Sequence, residues 1–280
     1  MTRLSLIKFS AALVVFSLSG CFDSSSSTRS GDGNIQRLPL NDTGAISYTQ
    51  TFGSSTTDPL VENLLTTIPD VTAVGQDADL GNDVSNNNSL DGKAGFKFTK
   101  LDENGAPLSN QFAIYSETPW HCVKDQVTGL IWEVKTRSGL RRMDYTYTWY
   151  EPDSSLNGSF AGTQNDFSRC DLNIMPSCDS HSYKQAVNAL NNGTGLCGMN
   201  NWRLPTREEL RSIVDYGSNS GFAIDTNFFP NTLNSDTWTS QTAYYEVNDG
   251  TEAWEIHFDN GISESHAKTS KIAIRLVHTP

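Results

Sequence analysis

Residues 195–217 read GLCGMNNWRLPTREELRSIVDYG, dense enough in Arg, Glu, Trp and Cys to raise the question of whether they form an active site or a fold element. Their spacing answers it. Thr206 precedes Glu209 by three residues, the pattern of a capping box in which each side chain satisfies a backbone N–H of the other residue at a helix start. The periodicity predicts a helix over 207–216, with Leu210, Ile213 and Val214 as its buried stripe and Gly217 as a C-cap. Pro205 stands just outside, where it cannot interrupt the ladder. Arg207 and Arg211 lie one turn apart on the exposed flank beside Glu208, and Trp202 and Leu204 enter the core ahead of the helix. Capping and solvation account for the charges without catalysis.

Working outward, SYKQAVNALNN (182–192) places Tyr183, Ala186, Val187 and Leu190 at helical spacing, with Asp179, Ser180 or Ser182 as N-cap and Gly193 beyond the end. FKFTKL (96–101) alternates apolar with polar and meets the turn DENG (102–105). LIWEV (130–134) and the aromatic, Thr-rich YTYTWY (145–150) are the next expected strands. After a loop with NFFPNT (227–232), WTSQTAYY (238–245), AWEIHFDNG (253–261) and KIAIRLVH (271–278) are strands, and Asp259, Asn260 and Gly261 make a hairpin turn between the last two. Strands, two consecutive helices, a long loop and a closing run of strands make an α+β domain, with the two helices packed on mixed or antiparallel sheets.

The other end of the chain speaks for its compartment. Arg3 and Lys8 precede the apolar run Ala11–Phe16, which ends in LSGC (18–21), the form of a lipoprotein export signal. Residues 1–20 are read as that signal and 21–59 as a lipidated Cys21 followed by a flexible Ser-, Asp- and Gly-rich tether. Residues 60–94 form an acidic, loop-rich extension, and 95–280 the folded domain. Phe22 after the anchor points to outer-membrane sorting, at the periplasmic face or the cell surface, although Asp23 weakens the signal. The net charge of −12 excludes nonspecific binding to nucleic acid.

Once Cys21 is lipidated, Cys122, Cys170, Cys178 and Cys197 remain, an even number in an exported chain, which implies two disulfides. Of the three pairings, the expected one closes a local loop with Cys170 and Cys178 and joins distant segments with Cys122 and Cys197. Zinc is the rival, but no CxxC pair occurs, and His121 and His181 lack a matching ligand spacing. Asp77, Asp79 and Asp83 offer the clustered oxygens that calcium takes, without a Glu at the twelfth position of an EF-hand. A solvated acidic loop competes with calcium there, the one cofactor left open.

Together CVKDQVTGLIWEVKT (122–136), residues 195–217, IDTNFFPNT (224–232), WTSQT (238–242), AWEIHFDNG and IRLV (274–277) resemble the Lcl C-terminal domain family. It is named for the terminal domain of a collagen-like bacterial adhesin. The resemblance implies a C-type-lectin-like fold and an adhesin-like function, with implied binding of sulfated glycans. WRLPTREEL is also similar to a helix start of formylglycine-generating enzymes, but a thiol-dependent oxidase needs late cysteines, and the last here is Cys197.

The expected function is a lipid-anchored binding module for a glycan, cell-wall component or surface protein. Its candidate patch is KTRSGLRR (135–142), where Lys135, Arg137, Arg141 and Arg142 cluster ahead of Tyr145, Tyr147 and Trp149. Guanidinium groups pair with sulfate or carboxylate, and aromatics stack on sugar rings. A solvated hairpin with aromatics buried behind it is the alternative. An enzyme is the second function class, with His121, His181, His257 and His266 as available bases, but no nucleophile elbow, zinc helix or phosphate loop is present. A structural partner in an envelope complex is the third.

Overall fold

A computed structural model describes residues 48–49, 65–66, 88, 90–93, 95–164, 169–218, 221–244 and 250–280. The chain divides into Met1–Arg37 and Leu38–Pro280. Cys21 and the candidate calcium ligands Asp77, Asp79 and Asp83 lie outside the described residues. The fold is α+β, with two antiparallel sheets and few helices. A separate two-residue pairing joins β1 (Tyr48–Thr49) to β2 (Leu65–Thr66).

The first sheet has the order β3 (Phe98–Leu101), β4 (Cys122–Asp125), β5 (Ile131–Glu133) and β9 (Val277–His278). Strand β4 was not expected, because CVKD offers too short an alternation to stand out. Its partner β5 returns through a turn held by Asp125, whose carboxylate accepts from the Val127 N–H at 2.8 Å and the Thr128 hydroxyl at 2.7 Å. The second sheet runs β6 (Asp236–Ala243), β7 (Glu252–His257) and β8 (Ser263–Ala267). The Asp259-Asn260-Gly261 turn therefore leads into β8 and not into KIAIRLVH. SESHA is a polar edge strand with no buried side chain, so it has no apolar stripe to read.

Two expected strands shrink. YTYTWY makes only isolated bridges, Tyr147 to Ile272, Thr148 to Asp179 and Tyr150 to Gly162. Tyr147, Thr148 and Trp149 are all buried, so the stretch threads between packed segments and has no open ladder edge. KIAIRLVH is a strand only at Val277–His278, with single bridges at Ile272 and Ala273.

Helix α1 (Ser180–Asn188) starts at Asp179, whose side chain accepts from the Ser182 N–H, and ends before the four-residue turn α2 (Leu190–Gly193). Asn191 and Asn192 there adopt left-handed φ values, which ends the expected helix short of residue 192. Helix α3 covers only Arg207–Arg211 and carries both hydrogen bonds of the Thr206/Glu209 capping box. It stops short of Tyr216, so Gly217 caps nothing. The Ser212 hydroxyl turns back to the Glu209 carbonyl at 2.7 Å, and the β-branched Ile213 and Val214 follow, each weakening further helical propagation. Thr206→Ala should lower unfolding stability by about 1 kcal/mol in a denaturant melt.

The stretch ahead of α3 is a strap that stitches the domain together. Gly195 holds a left-handed φ, and a Cβ there would meet the Met199 carbonyl oxygen at 1.9 Å, so only glycine fits. Trp202 Nε1 donates to the Leu196 and Met199 carbonyls, and the Asn188 side chain at the end of α1 clamps both backbone polar groups of Trp202. Arg203 bridges Val277, and the Pro205 carbonyl accepts from the Ser240 N–H at 2.7 Å. Disulfides Cys122–Cys197 and Cys170–Cys178 complete the stitching. Two buried clusters result. Phe98, Trp132, Ile213, Phe229 and Ile256 belong to one, and Tyr147, Trp149, Tyr183, Trp202 and Trp238 to the other.

Candidate functional site

The KTRSGLRR segment is exposed only at Arg137, Ser138 and Gly139. Lys135 and Arg141 are buried, as are Tyr147 and Trp149, while Arg137 is exposed and Arg142 and Tyr145 are half-buried. Charge sign in the sequence carried no information on depth. Lys135 Nζ reaches Glu133 Oε1 at 3.0 Å and the Tyr183 hydroxyl at 2.8 Å. Arg142 is held to Asp144 at 2.6 Å, and Arg137 Nε donates to Asn231 Oδ1 at 3.1 Å. The structure does not bring the four cations and the aromatics onto one face.

The structure forms a groove elsewhere. A cleft of about 760 Å³ lies between the 149–159 segment, the start of α1, the strap and β6. The strap is thus a fold element, as its capping spacing predicted, and also one wall of this cleft. A bulge in β6 shapes the floor: Trp238 to Thr242 spans four residues where β7 advances only two, from Glu255 to Ala253. This irregularity turns Gln241 toward α3, where its Oε1 accepts from the Arg207 N–H at 2.8 Å and its Nε2 donates to Glu208 at 3.1 Å. The Arg207 guanidinium lies over the Trp254 ring, 4.6 Å from its centroid.

The groove mixes apolar surface with fixed charge. Tyr244 and Leu156 line it while 63% and 61% exposed. Beside them Lys184 pairs with Glu151 at 3.0 Å, and the ring of Tyr150 meets His181 edge-on at 6.0 Å. His181 Nδ1 is buried without a hydrogen-bond partner among the described residues. Lys268 supports the wall from behind: its Nζ donates to the Asn157 and Phe160 carbonyls at 2.8 and 2.7 Å and to Thr242 Oγ1 at 3.0 Å. Burial pulls its pKa down to about 8.

The family model of the Lcl C-terminal domain matches residues 121–278, more than half of the chain and the whole lining of this groove. The chain belongs to the Lcl C-terminal domain family. No curated protein and no solved structure matches it. Strand β3 lies ahead of the matched span, yet it completes the first sheet by pairing along all of β4.

The histidines of this Lcl C-terminal domain sit apart. His257, on β7, lies between Asp236 at 3.4 Å and Asp259, to which its Nδ1 is hydrogen-bonded. His266 on β8 stands 3.8 Å from Glu255, whose carboxylate is fully buried. Among the described residues no group of three His, Cys, Asp or Glu side chains could hold a metal ion. Burial, reinforced by Asp236 on β6 and Glu264 on β8, pushes the Glu255 carboxyl up to about 8. The folded domain therefore holds this proton more tightly than the unfolded chain, where a Glu titrates at about 4.3. Raising the pH from there to about 8 withdraws stability. Glu255→Gln should remove that loss. In melts from pH 5 to 8, the melting temperature of the variant relative to the native chain is expected to rise with pH, and a difference independent of pH would refute the shifted carboxyl.

Proposed function

We propose that this chain is a lipid-tethered envelope module on a C-type-lectin-like scaffold, and that its groove binds a sugar-like ligand of a glycan or cell-wall component. The observation that carries the reading is the groove's composition. Exposed Tyr244 and Leu156 supply apolar area, while Lys184, Glu151, Arg207 and Gln241 supply positioned polar groups around it. A sugar ring has the same division, an apolar face with hydroxyls at its edge, and amphipathic side chains suit both. The basic segment at Arg3 and Lys8, the apolar run and LSGC support the tether, since acylation at Cys21 with two or more chains gives stable anchoring.

The test is a glycan array probed with the native chain and with Tyr244→Ala. Tyr244 is exposed enough that its loss should leave the melting temperature unchanged, while binding should weaken about tenfold for the roughly 1.4 kcal/mol of lost contact. A native chain that bound no glycan, or bound equally without Tyr244, would move the groove to a protein partner. Mass spectrometry of the mature N-terminus tests the tether by itself, with an acylated Cys21 expected.

A further inference from the structure

We propose that a second pocket, walled by His121, Ser138, Arg141 and Asn191, binds a single carboxylate group. The cavity holds about 240 Å³ and shares no lining residue with the groove, so the two sites stand or fall separately. At its base the Arg141 side chain belongs to a residue only 8% exposed, yet among the described residues no carboxylate pairs with its guanidinium. Its bonds go to neutral groups: Nη1 to the Val134 carbonyl at 2.6 Å and the His121 carbonyl at 3.2 Å, and Nη2 to His121 Nδ1 at 3.1 Å. Among the described residues these bonds leave Nε–H and one Nη2 proton without a protein acceptor. A buried cation in that position is costly until an anion reaches it.

The histidine adds a further donor. A guanidinium only donates, so His121 Nδ1 must accept, and the ring proton sits on Nε2. Burial first, and the Arg141 charge second, hold the His121 pKa below its ordinary value, so the ring stays neutral and its Nε2–H remains available. Asp102 and Glu103 oppose these effects from the adjoining turn.

Charge selects the ligand class. The pocket offers one uncompensated positive charge, and Glu103 lines it as an exposed negative one. A monoanion matches that balance better than a phosphate dianion. A planar carboxylate also fits a guanidinium fork, which pairs with two parallel oxygens.

The experiment uses the full-length chain labelled with nitrogen-15, following arginine Nε–H signals by NMR at constant ionic strength. Acetate should shift the Arg141 signal saturably, whereas the neutral isostere acetamide should not and sulfate should bind more weakly. Glu103→Gln removes an exposed charge without touching the core and should tighten acetate binding about fivefold. Acetate should also move the His121 ring nitrogen signals in the native chain, and Arg141→Lys, where it folds, should abolish that movement. A shift that stays linear in acetate, an equal response to acetamide or sulfate, or an affinity unchanged in Glu103→Gln would each overturn the proposal.

Discussion

Glu133→Ala should destabilise the domain by about 3–5 kcal/mol, a large part of the 5–15 kcal/mol that holds a typical domain folded. The carboxylate is fully buried and is the hub of an interior network. It accepts from Lys135 Nζ, from the Tyr183 hydroxyl and, at 2.9 Å, from the Leu276 N–H, while its own backbone carbonyl accepts from Arg275 Nη1 at 2.6 Å. Lys135 and Arg275 are both buried, so removing the one negative charge strands two cations in a medium that solvates them poorly.

The pH dependence of that loss identifies its cause. Burial already lowers the Lys135 pKa to about 8, and Glu133 is what raises it against that pull. Without Glu133 the folded pKa falls further below the unfolded value of about 10.4, so between the two the unfolded state binds more protons. Stability of the variant should therefore rise with pH across that window, in denaturant melts from pH 7 to 10, more steeply than in the native chain. Adding Lys135→Met should recover part of the deficit. A loss indifferent to both pH and the second substitution would mean that packing, not charge, is what Glu133 supplies.

The same network explains which parts of the molecule were legible in the sequence. Local signals transferred well. Thr206 with Glu209, and Asp179 ahead of α1, act within one helical turn, so their spacing states their structure. The alternation of FKFTKL likewise yielded a strand. Depth did not transfer: Lys135 and Arg141 lie in a segment that reads as solvated, yet Lys135 is buried against Glu133 and Tyr183, and Arg141 against the carbonyls of Val134 and His121 and the His121 ring. The groove was illegible for a related reason. Its walls come from five separate segments, each with a local explanation of its own, and a bulge in β6 aligns them. Tyr244 and Leu156 carry no motif that would set them apart from ordinary surface residues.

Cys122→Ala with Cys197→Ala should cost about 2–5 kcal/mol, and Cys170→Ala with Cys178→Ala distinctly less. Both bonds restrict the unfolded chain, but Cys122–Cys197 spans 75 residues and Cys170–Cys178 only 8. Chain entropy grows with the logarithm of loop length, so the long bridge should contribute about 2 kcal/mol more than the short one. Burial pushes in the same direction. Cys122 and Cys197 are fully packed in the cluster that holds Trp202 and Trp238, whereas Cys170 is only partly buried at its margin. The long bridge also fixes the strap, since Cys197 sits in the tight Gly195–Asn201 loop and Cys122 on β4. Its loss should free the wall of the groove that carries Arg203 and Arg207, raising amide exchange there before the domain unfolds. Hydrogen exchange on the two double variants would decide the matter: equal stability losses, or unchanged protection in the strap, would leave the capping box and the Trp202 hydrogen bonds as what holds that wall in place.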